Sequence, residues 1–147
     1  MKKIGLCAAI ILASAATGAH AADDKVLLPI STVMEMPEAK EKLDGSVQFF
    51  FGNQKHPTAL KTITSGKTSK KTNAFGKSEE EACNWAFLSA MIALSNKAKS
   101  VGADAVVNIA SNYKNVEMSS PTEYECHTGT FIGGVALKAD FIKLSAN

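Results

Sequence analysis

One long helical pattern dominates this chain, running from Glu79 to about Ser100 between segments that read as strands. Ser78 suits the N-cap, and with Glu81 it forms the pair that can satisfy two orphan backbone donors. Glu79, Glu80 and Glu81 sit at the positive end of the helix dipole, Lys97 and Lys99 at the negative end, and Gly102 supplies the stop. At 100° per residue, Cys83, Phe87, Ala90, Leu94 and Ala98 share one face and form the expected core stripe. Trp85, Leu88 and Ile92 form a second stripe on the opposite side. A surface helix needs only one apolar face, so this helix is expected to be covered twice. Two coverings are open. The N-terminal segment can fold over the second stripe, or the stripe is a candidate interface for a partner or a second copy, anchored by Trp85.

The flanks read as short β-elements. Val26 to Ile30 is an edge strand, because Pro29 cannot donate to a ladder. Ser31 to Leu43 holds one or two helical turns, with Pro37 at the first position of the second. Asp44-Gly45 marks a turn, and the phenylalanine run ending the strand Ser46 to Phe51 predicts cover on both faces. Thr58 to Thr72 is β-prone but polar and is broken by Ser65-Gly66, which predicts a solvated hairpin bearing Lys67, Lys70, Lys71 and Lys77. After the helix come a strand at Ala105 to Ser111, a polar loop at Asn112 to Pro121, an alternating strand at Thr122 to His127 and a last strand at Gly129 to Leu144. Gly133-Gly134 within that last strand predicts a bulge or the close approach of another backbone. The order implies an α+β fold, one long helix packed on a small antiparallel sheet.

The first 21 residues have the layout of a cleavable signal peptide. Lys2 and Lys3 precede an uncharged stretch densest from Ile4 to Ala16, and Gly18-Ala19-His20-Ala21 offers small residues for cleavage after Ala21. A retained membrane anchor fits less well, since the apolar run is diluted by Ala, Ser, Gly and Thr. The expected product is a single domain, residues 22–147, in the periplasm or secreted. It carries 14 lysines against 14 acids and no arginine. A nucleic-acid binder should show a basic excess and bidentate forks, so nucleic acid is not an expected partner.

Cys83 and Cys126 remain after cleavage, and Cys7 leaves with the signal. Strand alternation puts Tyr124 and Cys126 on the core face, and Cys83 points inward from the first turn of the helix. A Cys83–Cys126 disulfide is the expected outcome in an exported chain, with two buried thiols as the alternative. The same alternation gathers Glu123, Glu125 and His127 on one exposed face as metal candidates, and Cys126, His127 and His56 form a second set if the cysteines are reduced. Neither set has the paired spacing of a zinc site, and no cofactor is implied.

No catalytic set stands out. His56 and His127 are the only histidines after the signal, and no nucleophile-elbow serine or His-Glu metalloprotease motif is present. Gly66-Lys67-Thr68 and Gly76-Lys77-Ser78 imitate a phosphate loop, but the required upstream glycine is replaced by Lys61 and Lys71. Nucleotide binding is therefore not expected.

Thr72-Asn73-Ala74-Phe75-Gly76-Lys77-Ser78, Glu81 to Phe87, Ala105 to Ile109 and Tyr124-Glu125-Cys126-His127 resemble a family of small exported bacterial proteins often labelled "excinuclease ATPase subunit". The missing loop glycine argues against the activity in that label. Gly102-Ala103-Asp104-Ala105-Val106-Val107 and Phe131-Ile132-Gly133-Gly134-Val135-Ala136-Leu137 are similar, at greater distance, to YbjQ-like domains and to the Rcs envelope-stress outer-membrane lipoproteins. That resemblance implies a disulfide reaching a cysteine placed like Cys126. The chain departs from those lipoproteins in lacking a lipidation cysteine at the cleavage site and in keeping one cysteine pair. Three functional expectations follow. The first is a non-enzymatic binding or interaction module for an unknown protein or envelope component. The second is a metal- or redox-responsive protein using Cys83, Cys126 and His127. The third is an oligomeric structural module.

Overall fold

The computed structural model describes residues 22–146, and the expected signal segment with its cleavage site lies outside the described residues. Strand β1 (Asp24–Pro29) is followed by helices α1 (Ile30–Met34) and α2 (Pro37–Lys42), then strands β2 (Gln48–Phe51) and β3 (Ala59–Asn73). Helix α3 (Glu79–Val101), β4 (Ala105–Ser111), β5 (Glu123–Thr128) and β6 (Ile132–Leu144) complete the order. The six strands form one curled sheet with the path β1-β5-β6-β4-β2, while β3 pairs with β6. Among the described residues no helix is long and apolar enough to cross a membrane.

Helix α3 begins and ends where its sequence requires. Ser78 Oγ accepts from the Glu81 amide at 3.1 Å. At the other end Gly102 adopts the left-handed conformation at φ 73°, and the Ala103 amide returns to the Ala98 carbonyl at 2.9 Å. The core stripe Cys83, Phe87, Ala90, Leu94 and Ala98 is buried against the sheet. The N-terminal segment packs on the helix: α1 contacts α3, Val33 is fully buried, and Met34, Met36 and Leu43 pack on the same core. Of the candidate interface residues, Leu88 is therefore a core residue with 2 % exposure, while Trp85 and Ile92 are half-buried against that core.

Three strand readings need correction. Residues 58–72 do not form a hairpin, because β3 runs unbroken along β6 from Ala59↔Leu144 to Asn73↔Ile132. Gly66 is not a turn residue. It faces Ala139 across the ladder, and a Cβ there would come within 2.9 Å of the buried Phe141 ring, so glycine makes room for the ring. The sheet is not wholly antiparallel, since β2 and β4 pair in parallel through a crossover that contains α3. The last strand begins at Ile132, after a tight turn in which the Gly129 amide donates to the Ile132 carbonyl.

Gly133 is a point of close approach. A Cβ on it would lie 3.2 Å from Ala82 Cβ and 3.3 Å from the Ala82 backbone, so its absence lets α3 settle on β6. The disulfide between Cys83 and Cys126 joins the same helical turn to β5, with Cα atoms 5.9 Å apart. Beside it Phe87 stacks on Tyr124 at 4.1 Å, and the Tyr124 hydroxyl donates to Asn84 Oδ1 at 2.7 Å. Burial, with the Glu80 charge, pushes the Tyr124 phenol well above its ordinary range and keeps it a donor.

The long β6 supports β3 along one edge, and its other edge is shared. It holds β5 at Gly133 and Gly134, and β4 from Leu137 to Ile142. Between these two stretches the Asn112 amide donates to the Ala136 carbonyl at 2.9 Å. The loop after β4 thus leaves the sheet at its branch point and folds over the face opposite α3.

Candidate binding site

On that outer face, His127 is clamped between two carboxylates. Its Nδ1 lies 2.8 Å from Asp23 Oδ1, and its Nε2 lies 2.7 Å from Glu125 Oε1. Tyr113 stacks on the imidazole with ring centroids 3.4 Å apart, and its hydroxyl donates to Asp23 at 3.1 Å. Lys114 reaches the same carboxylate at 3.1 Å, and Lys25 pairs with Glu125 at 2.9 Å.

The loop reaches this position through two consecutive left-handed residues, Lys114 at φ 49° and Asn115 at φ 62°. Asparagine tolerates that region readily and lysine rarely does. The local cost is offset by bonds at both residues: Lys114 holds Asp23, and Asn115 Oδ1 accepts from Lys67 Nζ at 2.9 Å. A further left-handed residue, Asn108 at φ 52°, sits where the β4–β6 register shifts, and its amide donates to Asp140 at 2.8 Å.

These contacts set the charge states. Hydrogen bonds from His127 and then Lys114 hold the Asp23 carboxyl below its ordinary value. Burial acts to raise Glu125, but the bonds from His127 and Lys25 outweigh it and the net shift is downward. Lys114 is raised, chiefly by its bond to Asp23.

The face expected to be solvated, Glu123, Glu125 and His127, is only partly so. Glu123 is exposed, but Glu125 is 7 % exposed because Tyr113, Lys25 and the end of β4 cover this part of β5. There Ser111 Oγ accepts the Glu125 amide at 2.9 Å. Glu123 does not join the other two, and among the described residues no group of three or more potential ligands converges on a metal position. The second candidate set is also separated. His56 packs against Phe50 of β2, at the far end of the sheet path from β5, and Cys126 is buried in the disulfide.

A cavity of about 620 Å³ opens beside the Tyr113–His127 stack. Asp23, Lys71, Lys114, Phe131 and Ile132 form its walls, and Gly134 is part of its lining. Phe131 is 60 % exposed despite its size. Sequence reasoning found His127 and Glu125 but missed Asp23, Lys25, Ser111 and Tyr113. Asp23 is 104 residues from His127 in the chain and stands next to the expected cleavage site. A lone aromatic between Asn112 and Lys114 in a polar loop was the one available signal for Tyr113.

Comparison with protein-family models, with curated proteins and with solved structures finds no match to this chain.

Proposed function

We propose that this chain is an exported, non-enzymatic binding module of the cell envelope, related in fold to the YbjQ-like and Rcs-lipoprotein domains, and that it takes its ligand on the outer face of the sheet. One observation carries the reading: the polar groups of the His127 cluster are pinned to one another around an open cavity. A general base needs a free lone pair aimed at a substrate, and His127 has both ring nitrogens committed to carboxylates. Binding instead benefits from such rigidity, because pinned walls lose little entropy on association. The buried disulfide supports an oxidising compartment. A metal-responsive role has less support, since a metal at His127 must displace one of these bonds.

The test is a ligand search by backbone amide NMR on the purified mature domain. A saturable ligand that shifts the amides of Tyr113, His127 and Phe131 is expected. Hydrolysis of a substrate that disappears in His127→Ala while the fold persists overturns the reading.

A further inference from the structure

The cavity beside His127 is one end of a longer groove. It shares Lys71, Tyr113 and Lys114 with a second cavity of about 520 Å³ over Ser69 and Ala136. That second cavity shares Lys67 with a third, of about 610 Å³, bordered by Ser65, Lys138 and Asp140. The three follow the β3–β6 register from Asn73↔Ile132 to Ser65↔Asp140. This is about 26 Å at roughly 3.3 Å per residue. Gly134 and Ala136 keep the floor low, while β3 and the Tyr113–Ser119 loop raise the sides.

The charges along the groove do not cancel locally. Asp23 is paired with His127 and Lys114 and Glu117 with Lys138, while Asp140 accepts only from the neutral Ser65 and Asn108. Lys67 meets only a neutral amide, and Lys71 has no hydrogen-bond or ion-pair partner among the described residues. The stem of Lys71 lies near Gly134, at 3.7 Å from where a Cβ would stand. Lys67 and Lys71 therefore line the channel without an ion-pair partner, two cations against the one carboxylate, Asp140, that is held only by neutral groups.

Resting on the binding-module reading, we infer that this groove binds a single extended chain of a carboxylated glycan. Three physical points select that class. A sheet face has its backbone N–H and C=O groups paired already, so an acidic peptide gains no main-chain ladder there. A lipid surface is flat and cannot reach a floor set between two walls. Lys67 and Lys71 stand four residues apart on β3, about 13 Å at roughly 3.3 Å per residue, which suits charges spaced along a chain rather than adjacent phosphates of one group. Ser65, Ser69, Asn108 and Ser119 are suited to sugar hydroxyls.

The test titrates the mature domain with a galacturonate decamer at low salt, following amide shifts and heat. Binding that weakens with added salt, with shifts along residues 65–72 and 134–138, is expected. Lys67→Glu combined with Lys71→Glu should weaken it by at least about tenfold, because these charges face the ligand. Gly134→Val should weaken it without changing charge, since a Cβ there meets only ordinary contacts and the added methyls rise into the channel. Lys97→Glu, at an exposed position of α3, should have no effect. The inference is overturned by an absence of decamer binding, by equal losses in the Lys97→Glu control, or by preferential binding of poly-glutamate or phosphatidylglycerol vesicles at the same amides. Those last two ligands would remove the glycan assignment and leave the binding-module reading standing. Substrate turnover would remove both.

Discussion

Replacing Cys83 and Cys126 together with alanine tests what the disulfide contributes. The bridge spans a sequence separation of 43 and joins the first turn of α3 to β5. In the chain-entropy model, opening a loop of this length frees the unfolded ensemble by about 4 kcal/mol. The folded side changes less, because both sites are fully buried between Phe87, Tyr124 and the helix, and alanine removes one sulfur from each. A domain of this size has roughly 5–15 kcal/mol of net stability, so the variant should remain folded at 25 °C but close to its limit. Urea unfolding at pH 7 measures the loss directly, and a thermal midpoint lowered by about 12–20 °C should accompany it. Unmutated protein held reduced should match the alanine pair within about 1 kcal/mol, since both lack the same constraint. A loss below about 1 kcal/mol refutes the reasoning. It would mean that the unfolded chain already holds Cys83 near Cys126, or that the bridge strains the fold by nearly as much as it restricts the coil.

Gly133→Val should destabilise by about 1–3 kcal/mol, because its Cβ meets Ala82 at 3.2 Å, whereas Gly134→Val should change little; paired urea titrations measure both. Phe87→Ala should cost about 3–5 kcal/mol, since its ring is buried and stacked on Tyr124, and a loss near zero in the same titration counts against that packing. Acid should loosen β1 first. Asp23 and Glu125 are held below their ordinary values of 3.8 and 4.5, so their contribution is complete above those values and is lost as pH falls through the lower folded ones. Hydrogen exchange at β1 amides should stay slow from pH 7 to about 5, after correction for intrinsic rates, and quicken below about 4. Asp23→Asn should flatten that response, and an acid response unchanged in that variant would contradict the assignment.

Local chemistry was legible wherever a residue's consequence stays within a few positions. Ser78, the glutamates after it and Gly102 determine α3 almost to the residue, because capping and the helix dipole act over one turn. Alternation placed Tyr124 and Cys126 inward, and the even cysteine count then pointed to the pair that the structure joins. The polar strand β3 was not legible. Its neighbours on the helix side are threonines and a lysine stem, so no period-2 contrast distinguishes it from a solvated hairpin, and the purpose of Gly66 appears only when Phe141 lies beneath it.

The candidate site belongs to the other category. Asp23, Tyr113 and His127 come from strand β1, a loop and strand β5, and their meeting depends on how the sheet branches along β6. Composition showed a neutral lysine-only domain, but a net balance says nothing about which charges cancel locally. By itself, the sequence determined the long helix, its two apolar stripes and the inward cysteines, because each follows from periodicity or short-range capping. Only the tertiary structure decided that Lys67 and Lys71 stand beside the groove without an acidic partner while Asp23 and Glu117 are paired with other cations, because Coulomb and hydrogen-bond energies depend on distances in space.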